Sequence, residues 1–100
     1  MDSTIRAEID VQVEVENYLN SRRIFNFRPP GNGLPDVVVC YKGWFIGLEF
    51  KKEKTGKAQK HQKIVSKEII NSGGISAFPK SLNDVIKILE KVDKEEQWVR

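Results

Sequence analysis

The stretch "GLPDVVVCYKGWFIGLEFKK", Gly33 to Lys52, decides how this chain folds. Val37 to Tyr41 and Trp44 to Phe50 are short runs of valine, isoleucine and aromatic residues, the composition of strands. Lys42-Gly43 between them is the natural two-residue turn of a hairpin. That turn sets a register in which Tyr41 faces Trp44, Cys40 faces Phe45, Val38 faces Gly47 and Asp36 faces Glu49. Two carboxylates then stand opposite one another at the open end of the hairpin. Side chains alternate faces along a strand, so Lys51 shares the side of Glu49. Directly opposed like charges destabilise a sheet, and a sequence that specifies them points to a cation between them.

Working outward, the upstream segment from about Thr4 to Asn20 predicts a helix, opened by Ser3 or Thr4 as N-cap. Val11, Val15, Tyr18 and Leu19 form its apolar stripe, although Val11, Val13 and Val15 also alternate as a strand would. Glu8 shares the stripe, and a carboxylate on the core-facing side of a helix is unusual. Glu14 and Glu16 read as solvated. Ile24 to Arg28 predicts a short strand, and "RPPGNGLP" an irregular loop.

Downstream of the hairpin, "KKEKTGK", Lys51 to Lys57, reads as an exposed, mobile connection. A helix follows from about Ala58 to Ser72, with Ala58, Gln62, Val65 and Ile69 on one face, and stops at Gly73-Gly74. "ISAF" predicts a last strand, Ile75 to Phe78. Ser81 with Asp84 resembles a capping box for a final helix whose stripe is Leu82, Val85, Ile86, Leu89 and Val92. The tail "DKEEQWVR" is expected to be loosely held. The order is α-β-β-β-α-β-α, a mixed sheet flanked by helices in a single α/β domain over residues 1–100.

Composition sets bounds on function. The chain has 100 residues, 17 Lys+Arg against 14 Asp+Glu, and a formal charge of +3, too mild alone to diagnose a nucleic-acid binder. No run approaches the ~20 apolar residues of a membrane span and the N-terminus lacks a secretory apolar core. The expectation is a soluble, intracellular protein. The single cysteine, Cys40, makes no internal disulfide and reads as a small buried hydrophobe. His61 reads as a surface residue.

The chemistry concentrates at Asp36, Glu49 and Lys51. Two carboxylates a few ångströms apart suit Mg²⁺, which takes hard oxygen ligands, keeps several waters and binds substrate phosphate. The carbonyl of Phe50, between Glu49 and Lys51, is a further candidate oxygen ligand. A lysine beside such a metal orients or deprotonates a water and stabilises charge building on a phosphate. These groups suit hydrolysis of a phosphodiester. The lysines beside them, Lys52, Lys54, Lys57, Lys60, Lys63 and Lys67, fit contact with a nucleic-acid backbone without sequence readout, and Arg22, Arg23 and Arg28 extend that surface.

These residues resemble the PD-(D/E)XK nuclease superfamily and, within it, the virus-type replication-repair nuclease (VRR-NUC) domain. The resemblance spans nearly the whole chain: a helix bearing a glutamate, "GLPD" at Gly33 to Asp36, "EFK" at Glu49 to Lys51, "KTGKAQKHQK" with its glutamine, and "GGISAFPKSLND". It implies a restriction-endonuclease-like mixed sheet and dependence on Mg²⁺ or Mn²⁺. It also implies that Asp36 and Glu49 bind metal, Lys51 acts on the nucleophile, Gln62 orients the site and the helix glutamate completes it. Glu8 fits that last place best, with Glu14 the runner-up, and Gln59 competes with Gln62. The implied activity is that of a DNA endonuclease on branched or flapped DNA, working as a homodimer in the cytoplasm of a phage or prokaryotic host. A strict four-way-junction resolvase and a non-catalytic nucleic-acid-binding module are the alternatives.

Overall fold

A computed structural model describes residues 3–50 and 56–99, with their side chains over 10–50 and 60–95. The elements are α1 (Ser3–Ser21), β1 (Asn26–Phe27), β2 (Val37–Tyr41), β3 (Trp44–Leu48), α2 (Gly56–Asn71), β4 (Ile75–Ala77) and α3 (Leu82–Val99). They form an α/β fold on one mixed sheet of order β1-β2-β3-β4, with β1, β2 and β3 antiparallel and β4 parallel to β3. The hairpin turns at Lys42 (φ 52°) and Gly43 (φ 86°), positive φ at both central residues being what a type I′ turn requires. Its register is the expected one: Tyr41 pairs with Trp44, Cys40 with Phe45 and Val38 with Gly47.

Strand alternation sorts the sheet into two faces. Val37, Val39, Ile46 and Leu48 point to one face, where Val15 and Leu19 of α1 and Val85, Leu89 and Val92 of α3 complete a buried core with Phe50. Removing this apolar surface from water is the main force holding the layers together. The opposite face carries Gly47 and Ser76, over which α2 lies. The Ser66 and Ser76 hydroxyls share a 2.6 Å hydrogen bond there. The helical reading of α1 wins over alternation because Val15 and Leu19 are buried while Val13 is exposed.

Three expectations are corrected. The tail from Asp93 is not loosely held as backbone, since α3 continues to Val99. Asp93 anchors this region to the hairpin tip, accepting the Tyr41 hydroxyl at 2.9 Å and Lys42 Nζ at 2.7 Å on one carboxylate oxygen. Cys40 is exposed, because it points to the α2 face, opposite the face that packs on α1 and α3. Glu16 is not a solvated charge: it accepts two hydrogen bonds from Arg28, at 2.6 and 2.7 Å, tying α1 to the end of β1. At the start of α3 the Ser81 hydroxyl accepts the Asp84 amide, as a cap should, while the Asp84 carboxylate reaches back to the Lys80 amide.

Candidate active site

The carboxylates lie where the hairpin opens. Pairing of β2 with β3 is regular as far as Val37 and Leu48, and continuing that register places Asp36 against Glu49. The backbone departs from it at this step. The Asp36 amide donates to the Leu48 carbonyl, one residue off the register, while the Glu49 amide keeps the regular ladder bond to Ala77 of β4. The β2–β3 ladder thus ends at Asp36 while β3 stays paired with β4. The Asp36 carboxylate takes up the slack by accepting the Phe50 amide at 2.8 Å. That bond fixes the Asp36 side chain against the strand end, and with the Phe50 ring buried in the core, the acid is anchored through the backbone to the opposite layer.

Glu49 is buried, with 7% of its surface exposed. A charged group so placed needs polar partners, and Gln62 of α2 supplies one, its amide nitrogen donating to Glu49 Oε2 at 2.5 Å. The sequence singled out Gln62 as a polar residue on an apolar helix face, and this contact is the reason it sits there. The closeness of α2 to the sheet depends on Gly47. A Cβ at that position would lie 2.9 Å from Pro35 Cγ and 3.1 Å from Ile69 Cδ1. Only a residue without a side chain lets the Pro35 ring and α2 meet over β3, and this approach sets Asp36 and Gln62 on either side of Glu49.

Asp36, Glu49 and Gln62 line a cleft of about 460 Å³ with His61 and the loop Gly31, Asn32, Gly33 and Leu34. His61 and this loop are the parts of the cleft that the sequence reading did not assign to it. His61 is exposed yet forms one wall, its ring packed where a side chain on residue 33 would be: a Cβ on Gly33 would stand 1.7 Å from His61 Cδ2. Gly33 also adopts φ 82°, a conformation that favours glycine. The available signal was adjacency, since the residue before Gln62 on a helix points about 100° around the axis and flanks the same site.

Other expected site residues fall differently. Lys51, Lys52 and Lys54 lie outside the described residues, and the side chains of Glu8, Lys57 and Gln59 do as well. Lys60 and Lys63 are exposed on α2, and neither lines the cleft. Lys67 is exposed likewise. Arg28 is committed to Glu16, and the guanidinium holds the Glu16 carboxyl below its ordinary range. Arg28 has its own pKa raised, mainly by Glu16 and to a lesser degree by the charge of Asp36.

As a donor set, the site presents two hard carboxylate groups, each held by a hydrogen bond, as outer contacts orient a metal's ligands. Among the described residues no three His, Cys, Asp or Glu side chains converge. Two carboxylates with room for water and phosphate fit Mg²⁺ or Mn²⁺, whereas zinc's nitrogen and sulfur ligands are not gathered in the cleft. No protein-family model, no curated protein and no solved structure matches the chain. Among the described residues no helix is long and apolar enough to cross a membrane.

Proposed function

We propose that the protein is a Mg²⁺- or Mn²⁺-dependent DNA endonuclease of the PD-(D/E)XK class, similar to VRR-NUC domains, acting on branched or flapped DNA. The observation that carries this reading is a buried glutamate and an aspartate at the end of the hairpin ladder, each carboxylate hydrogen-bonded, lining one open cleft. A purely structural role gives no reason to bury Glu49 next to a second acid. Asp36 and Glu49 would hold the cation, and the carbonyl of Phe50 and the α1 glutamate Glu8 are its further candidate ligands. The bound metal would polarise the phosphate and lower the pKa of a water.

In this mechanism Gln62 holds Glu49 in one orientation, so that its carboxylate is set before substrate arrives. The Phe50 amide does the same for Asp36. Lys51 is assigned by the "EFK" spacing to the attacking water and the developing phosphate charge. Lys52, Lys54, Lys57, Lys60 and Lys63 are assigned to the DNA backbone. Two copies about a two-fold axis would present two sites to a branched substrate. A cytoplasmic setting follows from this reading.

The test compares purified protein with Mg²⁺, with Mn²⁺ and with EDTA on linear duplex, flap, splayed-arm and four-way-junction DNA. Metal-dependent cleavage of a branched substrate is expected, lost in Lys51→Ala with DNA binding kept. Absence of cleavage on every substrate with either metal, or wild-type turnover by Lys51→Ala, would overturn the assignment.

A further inference from the structure

The cleft holds two acids, Asp36 and Glu49, and among the described residues no lysine or arginine lines it. A phosphate that enters brings a further negative charge and needs donors as well as a cation. The side chains of the lining that can donate a hydrogen bond are those of Asn32, His61 and Gln62. Gln62 already donates to Glu49. Asn32 lies on an exposed loop between two glycines of positive φ, Gly31 at 120° and Gly33 at 82°. His61 alone stands on a helix and has its ring seated.

That seat has two sides. His61 precedes Gln62 on α2, so its backbone is tied to the Gln62–Glu49 contact. Facing it, a Cβ on Gly33 would lie 1.7 Å from His61 Cδ2, 2.6 Å from Nε2 and 2.7 Å from Cγ. The near equality of the last two distances puts that point in line with the Cδ2–H bond, close to the ring plane and not above the ring. The imidazole therefore meets Gly33 edge-on by its Cδ2 side, and any side chain on residue 33 would displace it. Neither ring nitrogen has a hydrogen-bond or ionic partner among the described residues.

We propose that His61 donates a hydrogen bond to a non-bridging oxygen of the scissile phosphate, an inference that rests on the nuclease reading above. The imidazole carries at least one N–H in either protonation state, so the contact does not require a charged ring. As water attacks phosphorus, negative charge grows on the phosphate oxygens. A donor already in place stabilises that charge more than it stabilises the bound substrate. His61 is thereby a catalytic residue, and its loss falls on kcat more than on binding.

Two measurements test this. His61 is the chain's only histidine, so its ring resonances are assigned without ambiguity by NMR. In Lys51→Ala they should shift when flap DNA is added with Mg²⁺, and stay in place with Mg²⁺ alone. The second measurement is cleavage of the same DNA across a Mn²⁺ titration by wild type, His61→Phe, His61→Asn and His61→Gln. Phenylalanine keeps a flat ring against Gly33 and removes the donor, whereas each amide returns an N–H. His61→Phe should lower kcat about a hundredfold with KM and the Mn²⁺ midpoint unchanged, and at least one amide should regain most of the loss. Wild-type kcat in His61→Phe overturns the proposal, as does an equal loss in all three variants. So does a loss that saturating Mn²⁺ repairs, or a ring that answers Mg²⁺ alone or ignores DNA. In each of these cases wild type still cleaves and the nuclease reading stands. No cleavage by wild type overturns that reading itself.

Discussion

A shared metal between Asp36 and Glu49 has a thermodynamic signature that does not depend on turnover. A cation bound only by the folded chain stabilises it by mass action, about 1.4 kcal/mol at ten times its dissociation constant. For a domain of this size that is a rise of about 6–11 °C in Tm. Asp36→Asn removes one charged ligand and should abolish most of that rise. In EDTA two effects oppose each other. Relief of repulsion between facing acids is worth about 0.2–1 kcal/mol. Against it, the Asp36 carboxylate accepts the Phe50 amide at 2.8 Å, and replacing a charged acceptor by a neutral amide costs about 1 kcal/mol. The variant should therefore melt within about 6 °C of wild type without metal, at or slightly below it. The assay is a thermal melt of both proteins in EDTA and across a Mn²⁺ titration. An equal metal-induced rise in both would refute Asp36 as a ligand, and no rise in wild type would refute the shared site.

Three further outcomes follow from contacts around the site. The depressed pKa of Glu16 means that its pairing with Arg28 contributes stability above the ordinary carboxylate pKa. That contribution is lost as pH falls through the lowered folded value. Arg28→Ala should cost at most about 1 kcal/mol at neutral pH, because the arginine is largely exposed, and nothing in strong acid, as read by denaturant melts across pH. Gly47→Ala places a methyl 2.9 Å from Pro35 Cγ; overpacking of this kind costs about 1–3 kcal/mol, and a melting temperature equal to wild type would show that α2 does not rely on this approach. Gly33→Ala meets both an unfavourable φ and the His61 ring. Adding His61→Ala should recover the steric part of the loss and leave the backbone part, whereas simple additivity of the two changes in a double-mutant melt would refute the contact.

Much of the sheet was legible because its information is local. Lys42-Gly43 dictates a type I′ turn, and once the turn is placed, every cross-strand pair out to Val37 and Leu48 follows by counting. The stripes of α1 and α3 and the glycine stop of α2 are likewise written in adjacent residues. What counting missed is long-range. Cys40 looks like a core residue on its strand, and nothing near it in sequence reveals which side of the sheet α2 leaves uncovered. Glu16 looks solvated until Arg28, twelve residues later, folds back beside it.

The site divides along the same line. Gln62 stood out as a polar residue on an apolar helix face, and the resemblance gave it an orienting role. Which group it meets was not legible, since Glu49 lies thirteen residues earlier and its burial shows only in the fold. The departure of the backbone at Asp36 was not legible either, because it shows only in the bond from the Asp36 amide to the Leu48 carbonyl, one residue off the register. The Phe50 amide, on the edge of β3 that faces β2, is then met by the Asp36 carboxylate, and a side chain takes the place of a ladder bond. The regular ladder therefore ends at the point where two like charges would otherwise stand in register. Glu49, His61 and the Gly31–Leu34 loop line the cleft beside it. A cation held by both acids would offset their mutual repulsion, so the ladder's end and the proposed metal site fall at one place for one electrostatic reason.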